Sequence, residues 1–131
     1  MLDHFGVRVR SAEVSLPFYR ACLAPLGIRV IQEQPEYKAV IFMQDGSPVF
    51  LWLGEGDPDW LAKAGEVRLH LGFHAPTTQA VDAFYEAAMH HGGTDNGPPG
   101  YRRPTSYSAF VLDPDGNNME AIWQTERPFA A

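Results

Sequence analysis

Aligned with itself at a shift of 66 residues, the chain matches without a gap through a strand-like and a helix-like segment, and both copies open on a histidine. His4-Phe5-Gly6-Val7 falls on His70-Leu71-Gly72-Phe73, Phe18-Tyr19-Arg20-Ala21 falls on Phe84-Tyr85-Glu86-Ala87, and Gly27 falls on Gly93. A second match at a shift of 70 pairs Tyr37-Lys38-Ala39 with Tyr107-Ser108-Ala109 and Asp45-Gly46 with Asp115-Gly116. One supersecondary motif is therefore used twice. Histidines at equivalent places in the two copies suggest a site shared between them, because symmetry would bring the equivalent strands face to face.

Within each copy the periodicity changes in the same order. Residues 3–10 alternate, with Phe5, Val7 and Val9 on one face and His4, Gly6, Arg8 and Arg10 on the other, as in a half-buried strand. At 68–74 the pattern returns: Leu69, Leu71 and Phe73 against Arg68, His70, Gly72 and His74. A helix follows each strand. The second has Thr77 or Thr78 as N-cap, a stripe of Val81, Phe84, Tyr85, Ala88 and Met89, and a Gly92-Gly93 stop. The first is expected to start near Val14 or Ser15, which puts Pro17 in the opening turn and Ser11 before it. Strands are then expected at 28–33, 37–43 and 48–53 and again at 107–112 and 118–123, joined by hairpin turns at Asp45-Gly46 and Asp113-Pro114-Asp115-Gly116. The second copy carries extra residues between Gly93 and Tyr107, including Gly97-Pro98-Pro99-Gly100 and Tyr101-Arg102-Arg103-Pro104. This reads as an expanded loop, with a substrate lid and a plain surface loop equally compatible. The modules run over about 2–53 and 67–124, joined by a connector at 54–66, in a single domain of 131 residues.

Composition narrows the function. At 45% hydrophobic the chain is long enough to bury a real core. A net charge of −6 without a basic stripe argues against nucleic acid or an anionic membrane as partner. No apolar run reaches membrane-spanning length, Asp3, His4 and Arg8 interrupt the N-terminus where a signal peptide would be apolar, and the single Cys22 has no disulfide partner. The expectation is a cytoplasmic protein whose partner is a small molecule.

The residues resemble the vicinal oxygen chelate superfamily, which includes glyoxalase I, type I extradiol dioxygenases, fosfomycin-modifying enzymes and bleomycin-resistance binding proteins. The resemblance rests on Leu2-Asp3-His4 leading into Val7-Arg8-Val9, on Ser15-Leu16-Pro17-Phe18-Tyr19-Arg20, on His70, and on Phe110-Val111-Leu112-Asp113-Pro114-Asp115-Gly116-Asn117-Asn118-Met119-Glu120. The last segment is the most specific, because a glutamate follows four residues after the turn glycine. The resemblance implies an α+β fold of two tandem βαβββ modules forming a curled eight-stranded mixed sheet around a cup-shaped site. It implies a divalent transition metal (Fe, Mn, Zn or Ni) held by His4, His70 and Glu120, and a homodimer. A fourth ligand, present in glyoxalase I, would fall on Phe50 by the repeat, or on Leu51 one register away; neither binds metal.

Two imidazoles and one carboxylate leave coordination positions open for two substrate oxygens. That set resembles the dioxygenase and fosfomycin-modifying groups more than glyoxalase I, and the expected reactions are a lyase or isomerase step, or dioxygenation of a vicinal diol. Glu120 is also a candidate base, with Tyr107 and His74 as further catalytic candidates. Arg8, where glyoxalase I holds a substrate carboxylate, and Tyr101, Arg102 and Arg103 are candidate substrate contacts, the arginines favouring an anionic group. Plainer roles exist for several of these. Arg8 equally fits a solvated strand end, His74 a polar strand end, and Tyr37 with Tyr107 a pair filling equivalent core space. Trp52, Trp60 and Trp123 read as core or subunit contacts, His90 and His91 as helix-end residues, and Asn117 and Asn118 as turn residues. A contrasting function is sequestration of a small molecule or antibiotic without catalysis, which acidic charge and aromatic content would suit.

Overall fold

A computed structural model describes residues 2–56 and 68–126. The elements are β1 (His4–Val9), α1 (Ala12–Leu23), β2 (Ile28–Gln34), β3 (Ala39–Gln44), β4 (Phe50–Glu55), β5 (His70–His74), α2 (Thr78–His90), β6 (Thr94–Arg103), β7 (Ser106–Leu112) and β8 (Asn118–Gln124). Each half is βαβββ, and the α+β class follows directly. The eight strands divide into two curled four-stranded sheets, ordered β1-β4-β3-β2 and β5-β8-β7-β6. In each sheet the first strand pairs in parallel with the last, and the remaining pairs are antiparallel. Strands β1 and β5 are thus edges. The connector at 54–66, and Trp60 within it, lies largely or wholly outside the described residues.

The helices lie on one side of the sheets and pack against each other. One core joins both halves, combining Val7, Val9, Phe18, Tyr19, Leu23, Val40, Phe42 and Leu53 with Val81, Phe84, Val111 and Met119. Full burial of each large apolar side chain among these contributes roughly 1.5–3 kcal/mol. The opposite sheet faces carry the even-numbered residues of β1 and β5, His4, Gly6 and Arg8 and His70, Gly72 and His74, all exposed.

Three sequence expectations are corrected. Helix α1 begins at Ala12, capped by the Ser11 hydroxyl accepting from the Val14 N–H, so Pro17 sits in the second turn. The expected loop at 97–104 is mostly strand: β6 pairs with β7 through Arg103, and register shifts after Asp95, Gly97 and Tyr101 absorb the extra residues as bulges. Pro98 and Pro99 are tolerated there because β6 is an edge strand and their missing N–H groups cost no inner ladder bond. Tyr37 fills no core space; it ends a 3-10 turn at Pro35–Tyr37 and is 62% exposed.

The helix ends behave as the sequence suggests. Thr77 caps α2, its hydroxyl accepting from the Ala80 N–H at 3.0 Å. His91 Nδ1 lies 2.8 Å from the Ala87 carbonyl, at the end of the helix.

Candidate functional site

The register of β5 on β8 places Gly72 opposite Glu120, and β7 places Phe110 on Glu120's other side. His70, two residues before Gly72, shares that face. Its Nε2 lies 3.0 Å from Glu120 Oε2. The pair is unequally exposed, 55% for the histidine side chain and 14% for the carboxylate. Gly72 lies directly against the carboxylate, a Cβ there standing in ordinary contact with Glu120 Oε2 at 3.7 Å. The Phe110 ring packs edge-on to His70, with centroids 6.2 Å apart.

Arg102 reaches this face from β6. Its guanidinium lies 5.5 Å from the centroid of the Phe110 ring, and Nη2 donates to the Pro98 and Ser108 carbonyls at 2.6 and 3.3 Å. Gly97 and Gly100 flank it, Cβ atoms there standing in ordinary contact with the guanidinium at 3.4 and 3.7 Å, while a Cβ at Gly97 would crowd the Phe110 ring at 3.1 Å. Beneath it, the buried Ser108 hydroxyl has no hydrogen-bond partner among the described residues. Arg103 points further along, donating to Gln124 Oε1 at 3.3 Å. His74 shares the face at the other end of β5, opposite Ile122.

Two candidates are placed elsewhere. Tyr107 is registered with Tyr101 and Trp123, one residue out of phase with the Phe110–Glu120 row, and faces α2. Its hydroxyl donates to Asp82 Oδ1 at 2.6 Å, and this bond, then burial, raises its pKa. Tyr101 stacks edge-on against Tyr107 at 5.0 Å. Neither tyrosine meets the His70–Glu120 pair.

In the first sheet His4 is stacked on Phe50, with centroids 4.6 Å apart, and its Nδ1 is 2.7 Å from Asp3 Oδ1. It stands apart from His70 and Glu120: among the described residues no three His, Cys, Asp or Glu side chains gather in a cluster able to hold a metal ion. Register also revises the fourth ligand position. His4 pairs with Phe50 as His70 pairs with Asn118, so Gly6 faces Trp52 as Gly72 faces Glu120. Trp52, not Phe50, stands where the second half has its carboxylate. The Asp-Gly pair sits two positions earlier in the first turn than in the second, which is why a match anchored on Asp45-Gly46 misplaces the strand by two residues. The indole is fixed by Nε1 donating to Gln34 Oε1 at 2.8 Å, and Arg8 lies 5.0 Å above it. Arg8 and Trp52, with Gln34, Tyr37 and Lys38, line an open cavity of about 510 Å³.

The donor chemistry of His70 and Glu120 fits two ligands of a divalent metal: a neutral imidazole nitrogen and a carboxylate oxygen converge at an open face. The third donor must come from elsewhere.

No curated protein matches the sequence. Among solved structures, the chain is similar to a glyoxalase/bleomycin resistance protein from Albidiferax ferrireducens T118, with 31% identity, 92% of this chain and 96% of that one covered, and a TM-score of 0.75. A glyoxalase-related enzyme from Fulvimarina pelagi shares the fold at 18% identity, with coverage of 100% and 93% and a TM-score of 0.72. A lactoylglutathione lyase from Agrobacterium tumefaciens does so at 19%, with coverage of 93% and 92% and a TM-score of 0.63. The profile described as Glyoxalase/Bleomycin resistance protein/Dioxygenase superfamily matches residues 1–121. With the doubled βαβββ fold and this match over nearly the whole chain, the protein belongs to the glyoxalase/bleomycin resistance protein/dioxygenase superfamily.

Proposed function

We propose that the protein is a metal-dependent enzyme acting on a small oxygenated molecule, with His70 and Glu120 of one protomer and His4 of a second as ligands. The observation that carries this reading is the 3.0 Å approach of His70 Nε2 to Glu120 Oε2 on an exposed face. The cross-chain element is supported by two of the edge strands. β1 and β5 each pair on one side only, and the repeat makes them equivalent. Between them lies a cleft of about 450 Å³, lined by Leu2, Phe5, Leu69, Leu71 and Phe73 among others. Leu2 and Leu69 are exposed apolar residues that a second copy would cover. A twofold arrangement joining β1 of each copy to β5 of the other would bring His4 toward the pair.

A divalent metal at this place would hold two vicinal substrate oxygens and stabilise the negative charge that develops on them. The residues of the chain supply the rest. Arg102, beside Phe110, has both its hydrogen bonds on Nη2, leaving Nη1 and Nε to orient an anionic substrate group. Glu120 is the carboxylate nearest the open space over Gly72 and accepts a proton there. Trp52 replaces a fourth ligand, so the set leaves coordination positions for substrate, as a dioxygenase or transferase requires; a lyase or isomerase step needs its base from Glu120 alone.

Elemental mass spectrometry on untagged protein, after incubation with iron, manganese, zinc or nickel, tests the proposal. We expect about one equivalent per chain, lost in folded His70→Ala and Glu120→Ala variants. A wild type that stays metal-free with all four ions defeats it and leaves sequestration of a small molecule as the reading.

A further inference from the structure

The β7–β8 turn contains a buried polar chain that the proposed chemistry does not use. Tyr19, fully buried in α1 of the first half, donates its hydroxyl to Asp113 Oδ2 at 2.5 Å. Asp113, 4% exposed, accepts from the Asn117 N–H at 2.8 Å and from the Asn117 side-chain amide at 3.1 Å. Asn117 Oδ1 in turn accepts from the Leu69 N–H at 3.0 Å. Leu69 immediately precedes His70, and its carbonyl accepts from the Asn118 N–H at 2.9 Å. The polar chain ends at Leu69, the residue before His70 of the proposed site.

Strand β5 needs such a clasp. It has five residues, is an edge, and pairs with β8 alone. A slip of one residue would turn His70 to the core side and carry it away from Glu120. Burial, and next the charge of Asp113, hold the Tyr19 phenol well above the ordinary tyrosine value, so its hydroxyl remains a donor.

The repeat supplies an internal control. Counted along the matching registers, Val49 occupies the place of Asn117, and the Phe50 N–H reaches the Asp3 carbonyl at a longer 3.4 Å. Counted back from β4, Asp45 occupies the place of Asp113 and is an exposed partner of Arg29. Tyr85, the match of Tyr19, interacts with Asp95 rather than with a turn of the other half. The half with Trp52 in the place of Glu120 also lacks, among the described residues, this chain of hydrogen bonds.

We propose that Tyr19, Asp113 and Asn117 form a positioning relay that fixes the parallel register of β5 on β8 and, through it, the spacing of His70 and Glu120. Its consequence for metal affinity rests on the reading of those two residues as ligands; its consequence for strand register does not. The relay also means that helix α1 of the first half governs ligand geometry in the second.

Cobalt(II) titration followed by visible absorption, paired with amide exchange on metal-free protein, tests both consequences. Asn117→Ala and Tyr19→Phe are each expected to weaken cobalt binding about tenfold, the scale of outer-shell ligand support. Thr77→Ala, which removes only a helix cap, serves as the stability control and should bind as wild type. In metal-free protein the Leu69 amide should exchange about tenfold faster in both relay variants, relative to the Val81 amide in α2. Unchanged Leu69 exchange in Asn117→Ala and Tyr19→Phe overturns the relay whatever the metal result. Cobalt affinity lost equally in Thr77→Ala overturns the positioning role by reducing it to stability. A wild type that binds no cobalt defeats the metal reading, and the exchange ratio still decides the relay.

Discussion

Single residues in the first half show how closely the cup faces are fitted. Gly54 lies beneath the Trp52 ring, and a Cβ there would stand 2.5 Å from the Ala39 Cβ and 2.7 Å from the indole. Gly54→Ala is expected to cost about 1–3 kcal/mol by overpacking. The matching readouts are a lower melting temperature and altered Trp52 fluorescence; an unchanged melting curve rejects the crowding argument. Its neighbour Glu55 accepts from the Ala12 N–H at 3.1 Å at the start of α1 and from Lys38 Nζ at 3.1 Å. The Ala12 bond first, and then Lys38, lower its carboxyl pKa. Because the folded value is depressed, Glu55 contributes stability above about pH 4.3, the ordinary glutamate value, and loses it as pH falls through the folded value. Urea midpoints at about pH 5 and about pH 3 should therefore differ less in Glu55→Gln than in wild type. Equal differences in the two proteins would remove Glu55 from the acid response. The alternation of residues 3–10 exposes the chemistry of this face, but nothing in it reveals that Trp52 takes the carboxylate's place. That depends on strand register, which the position of Asp-Gly within the turn does not report.

At the level of elements, capping and breaking signals were legible where they were local. Thr77 caps α2 through its hydroxyl, whereas the Thr78 hydroxyl reaches only the Gln79 side chain. Thr77→Ala should cost about 1 kcal/mol and Thr78→Ala much less, measured as denaturation midpoints. Equal losses would mean that the cap bond is not what holds the first turn. Local signals misled in α1 and β6. Pro17 suggests a late start, yet the helix begins at Ala12 because Ser11 caps it, Glu55 accepts the Ala12 N–H, and packing of Phe18, Tyr19 and Leu23 offsets the bond that proline cannot donate. The Gly-Pro-Pro-Gly segment looks like a loop, and becomes a strand because β7 offers a pairing edge and bulges absorb the surplus.

For the whole molecule, the two half-faces predict that function belongs to an assembly. If His4 of one protomer completes the pair of another, a mixture of His4→Ala and Glu120→Ala chains should recover metal binding that neither variant shows alone, at about a quarter to a half of the wild-type content. Recovery read by elemental analysis on the reassociated mixture supports the cross-chain site; no recovery, with dimers present, assigns each site to one chain. Among the described residues no helix is long and apolar enough to cross a membrane. The sequence alone determined the repeat, the βαβββ order and the apolar faces, because periodicity and self-similarity are written along the chain, and it offered His4, His70 and Glu120 as candidates. Tertiary structure decided which of these meet. It joined His70 to Glu120, turned Tyr107 to Asp82, set Trp52 opposite Gly6 and tied Tyr19 to the second half. Those outcomes depend on register and burial across long sequence separations, which no local pattern encodes.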